Sequence, residues 1–206
     1  MSAAHGEQIR VFEEHGAQPG RSMEWWGMIF FICSEALIFA NFIAAYLYLE
    51  IRSGTSWGFA GWPNSLVNTL FLLASSATMH WGCSGLRKGD MRRLMLGLAA
   101  TIVLGLIFLG GQVFEYFGLI VNEHFTLGTG TKGSAFFTLT GFHGLHVTIG
   151  IIFMVVCLIR TGLGHFTPKK HFAIQAVEMY WHFVDIVWVF VFTIVYLLPL
   201  LAGGAK

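Results

Sequence analysis

Side chains able to carry a proton or bind a cation lie inside long apolar stretches of this 206-residue sequence: Glu35, His80, Glu115, His143, His146, Glu178, His182 and Asp185. Ionisable groups in such surroundings are costly, so each needs a reason to be there. His143 and His146 are spaced i, i+3 and project from one helix face; Glu178, His182 and Asp185, at i, i+4 and i, i+7, do the same. Gln112 and Glu115 make a further i, i+3 polar pair. A lone carboxylate such as Glu35 must keep its proton or find a partner such as a histidine, so proton handling and structural hydrogen bonding both stay open for it. A bis-histidine haem would need two histidines on facing helices at matching depth, and His80 with His182 satisfies the depth; His143 and His146 would suit copper or iron. Neither pattern is specific, and Gly141-Phe142-His143-Gly144 reads equally well as a close contact between helices. These polar groups are expected to hold helices together, at about 0.6 kcal/mol each. No catalytic residue and no metal ligand is assigned.

The elements that must position them follow from composition. Charged residues make up 11% and hydrophobic ones 55% of the chain, with a mean hydropathy of +0.67. That polar content is too low to cover a water-soluble globule. Five stretches reach the roughly 20 apolar residues needed to cross a bilayer: 25–49, 64–86, 94–121, 133–159 and 171–200. Backbone groups in lipid must be satisfied within the segment, so the chain is expected to be an all-α integral membrane bundle of five transmembrane helices. Residues 1–24 read as a polar, poorly ordered tail without the features of a cleaved signal, the first span serving as the insertion signal, and 201–206 as a short C-terminal tail.

Charge sets the expected orientation. Arg10, Arg21, Arg87, Lys88, Arg92, Arg93, Arg160, Lys169 and Lys170 fall on one side of the alternating spans, against Arg52, Lys132 and Lys206 on the other. Nine against three places the N-terminus in the cytoplasm and the C-terminus outside. Measured along the helices, Glu35, Asp185 and His143 then share the mid-membrane level, about 15–20 Å from a face. The net charge of +1 and the absence of a basic run argue against nucleic acid. Cys33, Cys83 and Cys157 form no zinc, disulfide or c-type haem pattern and read as small buried hydrophobes.

Several motifs together resemble subunit III of haem–copper terminal oxidases, the cytochrome c oxidase subunit III family. Thr140-Gly-Phe-His-Gly-Leu-His-Val147 is similar to one helix signature of that family and Tyr180-Trp-His-Phe-Val-Asp-Ile-Val-Trp188 to its last-helix signature. Trp26-Gly-Met-Ile-Phe-Phe-Ile-Cys-Ser-Glu35 resembles the segment that carries its membrane-embedded glutamate. Leu66-Val-Asn-Thr69, Leu72-Leu-Ala-Ser75, Gly89-Asp90, Gln112, Glu115 and Tyr116 match in order.

The resemblance implies a non-catalytic subunit that packs on the haem-bearing subunit I, with subunit II and a subunit IV as further partners. It implies no redox centre in this chain, haem and copper in the partner subunits, bound phospholipid, and support of sustained proton uptake. By motif position Glu35 is the buried glutamate, and His143, His146, His182, Asp185, Gln112, Glu115 and Glu178 belong to the polar interior. Arg160 falls where the family holds lipid head groups. Two departures are visible: the longer family form has two further N-terminal helices, the five-helix form being bacterial, and Trp81-Gly82-Cys83 stands where mitochondrial relatives commonly carry histidines. The expected setting is a bacterial cytoplasmic membrane, with cytochrome c as electron donor through other subunits. A quinol oxidase, a small haem-bearing membrane cytochrome and a proton-coupled transporter are the alternatives, in that order.

Overall fold

A computed structural model describes residues 22–53, 62–86, 88–166 and 171–203. Most of the expected N-terminal tail and the last residues of the C-terminal one lie outside these. Five long helices run up and down: α1 (Met23–Ser53), α2 (Trp62–Leu86), α3 (Met91–Asn122), α4 (Thr131–Gly162) and α5 (Phe172–Phe192). The last continues through a π turn, Thr193–Leu197, into a short α6 (Leu198–Gly203). Pro199 has no N–H to offer the Val195 carbonyl, which widens the preceding turn. No strand occurs among the described residues.

Helix ends extend past the apolar runs because local chemistry fixes them. The Asp90 side chain caps α3 by accepting from the Arg93 N–H at 3.0 Å. Gly89, at φ 78°, makes the tight turn between α2 and α3, and Gly130, at φ 94°, opens α4.

Four of the five helices are long and apolar enough to cross a membrane; α2 falls short on hydropathy. Its 25 residues reach about 37 Å, enough for a hydrocarbon core about 30 Å thick. The hydropathy is lowered chiefly by Asn64, Asn68 and His80 and further by hydroxyl side chains, of which Ser65, Thr69 and Ser75 are buried in the bundle. Of the five expected spans, four are thus apolar enough to cross a membrane, and the fifth is long enough but more polar, with its buried hydroxyls turned inward.

Packing is tightest between α2 and α3, where the backbones touch. A Cβ placed on Gly82 would stand 2.9 Å from the Gly97 Cα, so the small-residue contact leaves no room for a side chain. Thr78 and Thr101 bridge the same helices hydroxyl to hydroxyl at 2.8 Å. Trp181 of α5 is fully buried. Its ring lies over Gly150 of α4 and Gly105 of α3, and its Nε1–H donates to Ser75 Oγ of α2 at 3.0 Å. One indole thus ties four helices together. Helix α1 is peripheral, packing on α4 and α5 with only Phe39 and Tyr46 buried. Its outer face is apolar and open, Cys33 included; Cys83 and Cys157 are buried as expected.

Candidate functional site

The intramembrane carboxylate on α1 finds a histidine on α4. Glu35 Oε2 and His146 Nε2 stand 3.1 Å apart, about 18 Å along α1 from its start. His146 Nδ1 lies 2.9 Å from the Phe142 carbonyl oxygen, which can only accept, so Nδ1 carries a hydrogen. Nε2 then either accepts the Glu35 proton or bears a proton of its own toward a carboxylate. Both arrangements hold the same number of protons, so the pair can pass one between its members without changing charge. Phe39 and Phe142 close on the His146 ring at 4.9 and 4.6 Å, and the Tyr180 hydroxyl donates to the His146 carbonyl at 3.3 Å.

The two histidines of α4 part company. His143 is fully buried and turns toward α3 and α5, with Phe108 at 6.0 Å edge-on and Trp188 at 4.7 Å. Neither ring nitrogen finds a hydrogen-bond partner among the described residues. The i, i+3 spacing puts both histidines inside and both against Phe39 of α1, at 6.3 Å for His143 and 4.9 Å for His146, yet it is His146 that reaches Glu35.

The polar face of α5 meets α2, as the spacing requires. Glu178 Oε1 lies 3.3 Å from His80 Nδ1 and 4.0 Å from His182 Nε2. His182 Nδ1 pairs with Ser76 Oγ at 2.6 Å. Asp185 is 3% exposed, and neither of its carboxylate oxygens finds a hydrogen-bond partner among the described residues. The depth match of His80 and His182 is thus realised in space, but a carboxylate lies against both rings where a haem would need to enter. Asp185 and Glu35 do not pair.

Glu115 accepts from Ser65 Oγ at 2.6 Å and from the Tyr196 hydroxyl at 2.8 Å. Gln112, one turn earlier, is buried beside that tyrosine. Tyr196 sits inside the π turn. Beside this cluster a groove of about 470 Å³ opens between α2 and α3, lined by Asn64, Asn68, Phe114 and Asn122. Arg160, near the end of α4, is exposed, its guanidinium stacked on Phe166 at 5.0 Å.

Residues without an ionisable group complete these contacts, Ser65, Thr69, Ser75 and Ser76 of α2, together with Tyr196, which the sequence alone does not single out. The Trp188 Nε1–H donates to Thr69 Oγ1 at 2.9 Å. The signal was present as hydroxyls at 65, 69 and 76, spaced near helical repeats along an otherwise uncharged helix.

Comparison with known proteins agrees along most of the chain. A family model described as cytochrome c oxidase subunit III matches residues 12–199, beginning within the expected tail. The chain is 41% identical to the protein named cytochrome c oxidase subunit 3 of Marchantia polymorpha, covering 83% of this chain and 67% of that one. It is 39% identical to the protein of the same name from Danio rerio, over 90% of this chain and 74% of the relative. For Pan troglodytes the figures are again 39%, 90% and 74%.

Proposed function

The chain belongs to the cytochrome c oxidase subunit III family, and from that premise we propose that it is the non-catalytic subunit III of a proton-pumping oxidase that reduces oxygen to water. In this reading it packs on subunit I, with subunit II and a subunit IV nearby, while haem and copper reside in those partners and cytochrome c delivers electrons through them. The N-terminus faces the cytoplasm of a bacterial cell and the C-terminus the outside, supported by the lysine and arginine count.

The observation that carries the functional part is the Glu35–His146 pair. It is a carboxylate–imidazole couple at mid-membrane depth, 3.1 Å apart, on the helix that is least covered by the rest of the chain. We assign it to holding α1 against α4 while keeping a proton exchangeable, and so to sustaining proton uptake by the partner. Glu115, Gln112, Glu178, His143, His182 and Asp185 make up the rest of the polar interior. Arg160 is proposed to hold a phospholipid phosphate: it is exposed at a helix end and already oriented by Phe166, and guanidinium suits a phosphate fork.

The test is turnover over time of oxidase carrying Glu35→Gln. The expected result is a normal initial rate and full haem content with activity that decays within fewer turnovers. An activity trace identical to that of the unaltered oxidase contradicts the role given to the pair.

A further inference from the structure

At the end of the bundle where α1 and α5 begin and α2 ends, three potential metal ligands converge. His80 comes from α2, and Glu178 and His182 come from one face of α5 at i, i+4. Their candidate donor atoms all lie within 4.8 Å of one another. We propose that His80, Glu178 and His182 form a binding site for a divalent transition-metal ion of the zinc class.

The geometry is close to what such an ion requires. Metal–nitrogen and metal–oxygen bonds of about 2.0–2.2 Å in a tetrahedral set place ligand atoms about 3.3 Å apart. Glu178 Oε1 and His80 Nδ1 already stand at 3.3 Å, and Glu178 Oε1 and His182 Nε2 at 4.0 Å. His80 has the freedom to close the remainder, because its side chain is 67% exposed.

An outer partner orients the set. Ser76 Oγ holds His182 Nδ1 at 2.6 Å. When the Ser76 hydroxyl accepts from Nδ1–H, the Nε2 lone pair faces Glu178 and is free to bind a cation, the serine then taking the role usually given to a carbonyl or carboxylate behind a ligating histidine.

Room and access are present as well. A cleft of about 500 Å³ opens on the three residues, walled by Ser22 and Trp25 on the α1 side and by Gln175 and Met179 of α5. Two imidazoles and one carboxylate with an open fourth position are a zinc-type donor set. The sequence pairs His80 with His182 by depth and sets Glu178 one turn before His182, but only the packing of α2 on α5 brings the three donors together.

The proposal is independent of the Glu35–His146 reading and is tested on the intact oxidase carrying this chain. The complex is freed of loosely held metal with a chelator, and Zn²⁺ uptake is measured by equilibrium dialysis. Unaltered complex is expected to take up one Zn²⁺ more than complex with His80→Ala or Glu178→Gln. Affinity should fall more than about 100-fold in each variant, beyond what disturbing an outer partner costs. Co²⁺ in place of Zn²⁺ should give visible absorption that disappears in both. Replacement of exposed His165 by alanine serves as the control and should change nothing. Equal uptake and affinity in the unaltered and His80→Ala complexes overturn the site, as does an equal loss in the His165→Ala control.

Discussion

Glu35 and His146, 111 residues apart in sequence, meet at 3.1 Å across the contact between α1 and α4. The second nitrogen of the imidazole is already committed to the Phe142 carbonyl. This one contact connects a helix with two buried residues to a densely packed core, so it bears on both how the subunit holds together and where an exchangeable proton can rest.

A double-mutant cycle measures that connection. Glu35→Gln and His146→Leu, alone and together, are expected to show a coupling of about 1–2 kcal/mol in thermal unfolding in detergent, above the average for hydrogen bonds between membrane helices. Additive effects would mean the pair contributes nothing beyond its separate side chains.

The α2–α3 seam should tolerate no side chain at its closest point. Gly82→Leu drives its side chain into the Gly97 backbone and should cost about 1–3 kcal/mol, or more if the helices separate. Gly110→Ala is the counterpart: a Cβ there meets nothing within 4 Å, so helix propensity should leave stability unchanged or raised by up to about 1 kcal/mol. Melting curves of both variants check this, and equal melting temperatures would count against the packing described.

Much of this arrangement is legible in the amino-acid sequence. Apolar length and the cost of unsatisfied backbone in lipid gave the helices, and the i, i+4 and i, i+7 spacing put Glu178, His182 and Asp185 on one inward face. The partner of Glu35 was not legible, because spacing along α4 offers His143 and His146 equally and only the rotation of α4 against α1 chooses between them. The weight of α2 was also hidden. Its hydroxyls can bond their own helix in isolation and become interhelical partners only when Glu115 and Thr101 of α3 and His182, Trp181 and Trp188 of α5 pack against them.

Trp181 offers a test of that last point. Trp181→Phe keeps most of the ring but removes the donor to Ser75, and should cost about 1 kcal/mol or more. Ser75→Ala should cost a similar amount, since it orphans a buried indole N–H. The double variant should be little worse than the harsher single one. Strictly additive losses would remove the hydrogen bond from the account.

For Arg160, the readout is lipid rather than stability. Arg160→Ala should lower the phospholipid retained through mild-detergent purification while leaving initial turnover little changed, and Arg160→Lys should restore lipid only in part, because it lacks the planar fork. Lipid content by mass spectrometry decides; unchanged retention in Arg160→Ala would withdraw the head-group role.

In the proposed function this chain is an accessory subunit whose redox chemistry belongs to its partners. The most direct test is to purify the tagged chain in mild detergent, identify what accompanies it, and record absorption spectra before and after separating the subunits. The account predicts haem and the large subunit I in the complex, and no haem in the separated chain. A haem spectrum that stays with the separated chain would contradict it.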